Sequence, residues 1–318
     1  MNDRFDCVVC GELCVDLAIR PIDHKTPLAG RTLVAVDPIQ PGGGGIVPNS
    51  GIAMSRLGLK TAAFGCVGRD AFGDFLEQLL TSERIDASCL TRHKDLPTST
   101  TAILIGADGE HTFAYYNGAS RAFTRDIILK RLDLFSRSKF ALFGYYGLMP
   151  KLEEELPAVL QQVRARGCRT AMDAAGGGGR MQPLERILPY LDIYVPSREE
   201  AVAQTGLHEP REIVEAFRGL APDALLGVKL GAEGALVSPA ANQWIKVDAV
   251  EPLGPVIDTT GAGDCFYAGL IAGLARGWNV QDAAKLGAAA GACAVTKIGA
   301  VAGIRDLKTT VEIAGITH

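Results

Sequence analysis

The sequence predicts an α/β fold: a mostly parallel sheet sandwiched between helical layers, with a small β lid. Three observations predict it. β-like and helical runs alternate along most of the chain, one stretch between residues 100 and 116 breaks that rhythm, and 47% of the 318 residues are hydrophobic against 21% charged. The alternation implies parallel strands joined by helical crossovers. The break, two β-rich runs in succession, implies a hairpin. The composition supplies ample apolar material for a large core and excludes a disordered or fibrous chain.

Taken in order, an apolar strand over residues 7–10 leads into a second β-like run over 15–19. Helical spacing over 50–57 stops at Gly58, a C-terminal capping signal. A strand over 61–67 precedes a helix around 71–80. The two runs 100–105 and 111–116 flank Ala107-Asp108-Gly109-Glu110, a turn sequence. With residues 16–20 and 32–36 they are expected to form a small antiparallel sheet projecting as a lid. Later strands read at 140–145, 170–173, 193–195 and 225–230, with helical stretches between them. A further strand near Val256-Ile257 is expected to end at Asp258. The glycine runs 42–45 and 176–179 are too short to be linkers, so one domain over 1–318 is expected, with lid segments at about 15–40 and 98–118.

Charge narrows the function. Lys plus Arg number 32 against 36 Asp plus Glu, a net charge of −4, which leaves no electrostatic footprint for nucleic acid or an acidic membrane. A small ligand is the expected partner. The N-terminus lacks the apolar core of a signal peptide, and no apolar run approaches the roughly 18 residues that span a bilayer. A soluble, cytoplasmic protein is expected. Eight cysteines are scattered, many in apolar segments, as reduced thiols of a cytosolic core would be. Cys7 and Cys10 lie three apart on a strand and so face opposite ways, which argues against a redox or metal pair. The five histidines show no ligand spacing, and His111 reads as a surface residue of the hairpin.

The chemistry concentrates at Asp258-Thr259-Thr260-Gly261-Ala262-Gly263-Asp264, which precedes an apolar helical run starting near Gly263. Backbone N–H groups converge at such a helix start and attract an anion. Gly261, Ala262 and Gly263 lack bulk, so a phosphate can approach the backbone, and Asp264 can take a proton from a hydroxyl beside it. An acid in the first turn also interacts with the helix dipole, and glycines also make ordinary turns. The flanking threonines and the second aspartate favour the chemical reading. No Gly-Lys-Ser/Thr phosphate loop occurs, and no Gly-x-Gly-x-x-Gly follows the first strand, which disfavours an oxidoreductase using a dinucleotide.

This string resembles the C-terminal signature of the ribokinase, or PfkB-type, carbohydrate kinases, and the order of motifs from Gly11 to Gly303 follows that family. The resemblance implies a ribokinase-like three-layer sandwich, with Asp264 as catalytic base and Gly261, Ala262 and Gly263 as anion hole. Gly44-Gly45-Ile46-Val47-Pro48-Asn49 resembles the family's Gly-Gly-x-x-x-Asn, so Gly44, Gly45 and Asn49 are expected to hold substrate hydroxyls. Gly11-Glu12-Leu13-Cys14-Val15-Asp16 resembles the first strand, whose last aspartate reads the sugar; a solvated strand-end carboxylate is the other reading of Asp16. Gly68-Arg69-Asp70-Ala71-Phe72-Gly73 resembles a structural turn.

On the nucleotide side, Ser197-Arg198-Glu199-Glu200 stands where the family has Asn-x-x-Glu. Glu200 matches as a water-mediated magnesium residue, or as a helix-dipole partner, while Ser197 departs from the pattern. Val228-Lys229-Leu230-Gly231-Ala232-Glu233-Gly234 resembles the strand and turn along ATP, placing Lys229, Gly231 and Gly234 there. Lys229 reads either as a cation near phosphates or as a solvent-facing strand end. Ala288 replaces a frequent asparagine beside the base. Asp258 and Thr260, with carbonyls of Ala294, Lys297 and Gly299, match the potassium loop of some members, with Gly303 in place of a ligand hydroxyl.

The expected activity is transfer of the γ-phosphoryl of ATP, with Mg2+, to a primary hydroxyl of a sugar or sugar acid. A nucleoside kinase of adenosine-kinase type and a catalytically silent sugar-binding regulator are the alternatives. Phe113, Tyr115 and Tyr116 are expected on the lid, stacking on sugar or pairing across strands or a dimer surface. Tyr115-Tyr116 and Gly-Glu-x-x-Val-Asp resemble ketodeoxygluconate and fructose kinases more than ribokinase. A homodimer through the lid edge is expected, because an exposed small sheet leaves strands unpaired.

Overall fold

Apolar runs flanked by turns, such as Phe5-Asp6-Cys7-Val8-Val9-Cys10-Gly11, have no polar face to give to water, so they bury both faces in a sheet interior. The computed structural model describes residues 4–24, 33–106, 110–174 and 181–317. Its main sheet contains eight strands: β1 (Phe5–Gly11), β4 (Thr61–Phe64), β9 (Ser138–Gly144), β10 (Arg169–Asp173), β11 (Ile193–Tyr194), β12 (Leu225–Lys229), β13 (Ala235–Ser238) and β14 (Ile245–Val247). Their order is β14-β13-β12-β11-β10-β9-β1-β4. Strands β4 through β12 run parallel, and β13 and β14 complete the edge antiparallel.

Helices cover both faces. Ile46–Arg56, Ala71–Ser82, Ala262–Ala275 and Val280–Ala294 pack on one side, and Leu156–Arg164 and Pro210–Arg218 on the other. Cys7 belongs to the first apolar layer and Cys10 to the second, so the strand geometry separates them as their spacing requires. All eight cysteines are buried and free. Asp70 caps helix Ala71–Ser82 by accepting from the Gly73 amide, which makes the 68–73 turn structural.

A second sheet, ordered β3-β2-β7-β8, comprises β2 (Cys14–Ile22), β3 (Pro41–Gly44), β7 (Ser99–Gly106) and β8 (His111–Tyr116). Strand β7 runs parallel to β2 and antiparallel to β8, with Ile105 opposite His111, so the two β-rich runs do form a hairpin. Its Asp108-Gly109 tip lies outside the described residues, as do the 176–179 glycine run and Thr32.

Five expectations change. The small sheet is mixed rather than antiparallel, because β7 runs parallel to β2. Residues 33–36 form no strand; Pro41–Gly44 pairs with β2 instead, because glycines let its backbone lie against Asp16. Val256 and Ile257 form no strand, although the Ile257 amide donates to the Val295 carbonyl. The expected strand 61–67 divides into β4 and β5 (Cys66–Gly68), the latter pairing with β6 (Thr91–His93). The helix expected over 50–57 begins at Ile46, with Pro48 in its first turn, where its missing N–H costs nothing.

One side chain stitches the sheet to the helical layer beneath the site. Tyr267 is fully buried, donates to the Met172 carbonyl at 2.6 Å and accepts from the Val195 amide at 2.6 Å. Tyr267→Phe strips both groups of their partner while keeping the ring. It should lower unfolding free energy by about 1–3 kcal/mol, read as a shifted urea midpoint at unchanged slope.

Candidate active site

The segment Thr260-Gly261-Ala262-Gly263-Asp264 turns sharply into helix Ala262–Ala275, and Gly261 provides the turn at φ 74°. A Cβ there would lie 2.4 Å from the Ala300 Cβ, so both conformation and space require glycine. The Ala262 amide reaches the Thr259 carbonyl at 3.3 Å. Among the described residues the amides of Gly263 and Asp264 have no such partner, which leaves two first-turn donors facing a cleft of about 820 Å³. The helix has no side-chain N-cap.

Asp264 stands in that first turn, 3% exposed. Asn49 Nδ2 donates to its Oδ2 at 2.8 Å and Tyr145 Oη donates to the same oxygen at 2.9 Å. The Ser50 hydroxyl fixes its backbone carbonyl at 3.1 Å. Burial, then the charge of Asp173, push the Asp264 carboxyl up to about 7; the bonds from Asn49 and Tyr145 and the charge of Lys229 hold it from rising further. A carboxylate poised there is suited to take up a proton near neutral pH.

Lys229, at the end of β12, turns inward, so of its two sequence readings the solvent-facing one is set aside. Its Nζ lies 3.0 Å from Asp173 Oδ2, 4.9 Å from the Tyr267 ring centroid and close against Gly263. Burial works against its charge, but Asp173 and Glu200 outweigh that effect and raise its pKa. Glu200 is raised by burial and by Asp173. It also closes a capping box: its Oε2 accepts from the Ser197 amide at 2.8 Å, and its own amide donates to Ser197 Oγ at 3.2 Å. Ser197 is thus the N-cap of helix Arg198–Thr205, which accounts for the serine independently of any metal. Gly231 and Gly234 line the same cleft, as does Ala288.

The opposite side of Asp264 is built by the small sheet. Asp16 lies on β2 beside Gly44, and burial raises its pKa. Gly45 precedes helix Ile46–Arg56, which carries Asn49. Asn49 Oδ1 is buried and, among the described residues, has no hydrogen-bond partner. Phe113 is 55% exposed on β8 and packs edge-on against His111, so the structure does not bring it to the other residues of this side. Its neighbour Tyr115 instead donates to Glu12 Oε1 at 2.8 Å.

Hard oxygen ligands suit magnesium, and the Asp173 and Glu200 carboxylates line the cleft together. Two carboxylates make no closed cage; among the described residues no group of three or more acidic, histidine or cysteine side chains is placed to hold a metal. A cation held there would rely on water and phosphate oxygens as well. The loop suggested for potassium is brought together in part. Asp258 accepts from the Thr260 amide at 2.9 Å and the Gly299 amide at 2.8 Å, tying the two loops directly. At Gly303 a Cβ would fall 2.0 Å from the Cys293 carbonyl oxygen, so no hydroxyl-bearing side chain fits on this backbone. The donor set for potassium is incomplete, and no step is derived through it.

Three residues of this centre escaped the sequence reading. Asp173 ends β10, Tyr145 follows β9, and Glu12 follows β1; all sit where parallel strands end, which is where a cleft opens in such a sheet. The strand ends were readable, and that rule would have flagged them.

A match to the family described as "pfkB family carbohydrate kinase" spans residues 4–307. The ribokinase of Haemophilus influenzae is 27% identical over 279 residues, covering 85% of this chain and 86% of that one. The 2-dehydro-3-deoxygluconokinase of Escherichia coli is 28% identical over 297 residues, covering 88% and 91%. The structure of Arabidopsis thaliana ribokinase complexed with ribose and ATP superimposes with a TM-score of 0.84 at 21% identity, covering 99% of this chain and all of that one. The three-layer sandwich is ribokinase-like.

Glu12 is 1% exposed, and burial raises its carboxyl to about 7 against bonds from Ser120, Tyr115 and Ser99. A carboxyl raised on folding takes up a proton as the chain folds. Its contribution is full below the unfolded value of 4.5 and is lost as pH rises through 7. Relative to Glu12→Gln, wild-type stability should therefore fall by about 3 kcal/mol across that window, measured by urea unfolding at successive pH values.

Proposed function

The chain belongs to the pfkB family of carbohydrate kinases, phosphotransferases with an alcohol acceptor, and from that premise we propose how its residues carry out the transfer. The γ-phosphoryl of ATP passes to a primary hydroxyl of a sugar or sugar acid. One observation carries the reading: a buried carboxylate held by two donors stands in the same helical turn as amides that, among the described residues, have no partner and face a nucleotide-sized cleft.

Asp16 and the free Oδ1 of Asn49 accept hydroxyls of the sugar, and the turn at Gly44 and Gly45 brings the backbone close to it. Asp264 takes the proton of the attacking hydroxyl. The new bond forms between that oxygen and the γ-phosphorus, the bond from phosphorus to the β,γ-bridging oxygen breaks, and ADP leaves with the electron pair. The Gly263 and Asp264 amides and the Lys229 ammonium meet the charge spreading over the transferred group. Magnesium, when bound with ATP, would be held by Asp173 and Glu200 through water and would neutralise phosphate charge. The Gly231–Gly234 turn and Ala288 flank the nucleotide.

The four-stranded sheet serves as lid over the acceptor and excludes water from it. Strand β8 is one of the two outer strands of that sheet, and Phe113 and Tyr116 are exposed along it, which favours pairing of two copies through this edge. No described helix is long and apolar enough to cross a membrane. A small-molecule acceptor and ATP are the partners this chemistry calls for, in the cytoplasm where ATP is available.

ADP release with a panel of sugars, sugar acids and nucleosides decides the acceptor. Turnover with a sugar or sugar acid is expected; turnover with nucleosides alone, or binding without ADP, overturns the reading. Asp264→Asn should reduce turnover about a hundredfold or more with ATP affinity nearly unchanged, measured by steady-state kinetics and nucleotide titration. For the wild type, kcat/KM should fall on the acid side of about pH 7, as the base becomes protonated. Asp16→Ala should raise the acceptor KM about tenfold or more while leaving the ATP KM within about twofold, from the loss of charged hydrogen bonds to hydroxyls.

A further inference from the structure

The two oxygens of Asp264 are not equivalent. Both side-chain donors that reach the carboxylate among the described residues, Asn49 Nδ2 at 2.8 Å and Tyr145 Oη at 2.9 Å, end on Oδ2. An oxygen already accepting two hydrogen bonds is the poorer proton acceptor, and the pair fixes the carboxylate plane. We propose that Tyr145 is a positioning residue which, with Asn49, reserves Oδ1 of Asp264 as the atom that receives the acceptor's proton. The inference rests on Asp264 being the base.

The local backbone supports a dedicated role. Tyr145 is a bulky residue at φ 62° and ψ 37°, a left-handed conformation that such residues seldom adopt. It is held there by its own amide, which donates to the Asp173 carbonyl at 3.1 Å, at the point where β9 leaves the sheet. The strained turn is what carries the phenol across the strand ends to Asp264, 119 residues away in sequence. Burial and then the Asp264 charge push the phenol well above its usual pKa, so it keeps the proton that it donates to the carboxylate.

The groups that set the charge of Asp264 come from every neighbouring element: Asp173 at the end of β10, Lys229 at the end of β12, the phenol after β9 and the uncharged Asn49 from helix Ile46–Arg56. Cys14 on β2 also faces the phenol, and Glu200 acts through Lys229. Asp173, Lys229 and Glu200 remain in place when the phenolic oxygen alone is removed. The effect of that removal therefore reports the Tyr145 bond.

Tyr145→Phe is the test, compared with wild type and with Asp264→Asn. Loss of a donor to the ionised carboxylate should move the acid limb of kcat/KM upward by about one pH unit, and kcat at about pH 6.5 should drop about tenfold. The KM values for ATP and acceptor should stay within about twofold, and much of the turnover should return at about pH 9. Tyr145→Asn, which tolerates positive φ and also lacks the phenol, should show the same displaced limb, so the test does not depend on one variant folding. A limb that stays in place in the folded variants, or turnover equal to wild type at every pH, overturns the inference while an inactive Asp264→Asn leaves the base assignment standing. Full turnover by Asp264→Asn overturns the base assignment and this inference with it.

Discussion

Everything at the strand ends is organised around one buried ammonium. Lys229 is placed among Asp173, Glu200 and Asp264, three carboxylates each less than a tenth exposed. Without a cation beside them, burial and the charge of Asp173 would drive Glu200 and Asp264 further toward protonation. Even with Lys229 present, Glu200 and Asp264 remain raised, so the cluster is undercompensated as it stands. That imbalance is what the proposed function calls for in a site that binds a metal-bound polyphosphate and takes up a proton. The Tyr267 ring beneath Lys229 adds a favourable face for the charge, and its hydroxyl locks the backbone on either side of it.

Sheet topology explains why these residues meet. Strands β9, β10 and β12 are parallel, so their carboxyl ends lie along one edge, and Tyr145, Asp173 and Lys229 come from those ends. The helix bearing Asp264 starts at the same edge. Its first-turn amides and the strand-end side chains therefore face a common space. The turn to antiparallel pairing after β12 adds β13 and β14 at the sheet edge, and both the Gly231–Gly234 turn and the residues just after β14 line the same cleft.

Much of this was legible in the sequence. The parallel strands declared themselves through short apolar runs, and the Asp258 to Asp264 string announced the helix start because glycine, small residues and acid at that spacing suit an anion. What failed to register had weak local signals. Pro41–Gly44 has no side chains with β preference, yet its bare backbone is what lets it pair against Asp16, whereas the β-rich 33–36 run finds no strand to join. Tyr145 looked like another aromatic in an apolar stretch; its left-handed turn and its bond to Asp264 are tertiary facts with no periodic signature. Ser197 appeared as a departure from a metal-binding pattern, although Ser-x-x-Glu is also the signature of a capping box, which is what it forms.

In the proposed reading, the acceptor side and the base are joined through hydrogen bonds that meet at Glu12, and that ties enclosure to alignment. Glu12 takes the Tyr115 hydroxyl from the lid through its side chain, while its carbonyl accepts the Val47 amide at the start of the helix that bears Asn49. Asn49 in turn holds Asp264. The lid strand, the sugar-side turn and the base are thus linked by consecutive hydrogen bonds rather than by separate supports. If the small sheet acts as the proposed lid, Tyr115 holds it in register beside the place where Asn49 fixes the carboxylate. Exclusion of water by such a lid would strengthen the charge interactions around Lys229. The buried Glu12, costly for a folded protein to hold near neutral pH, is the residue on which both connections depend.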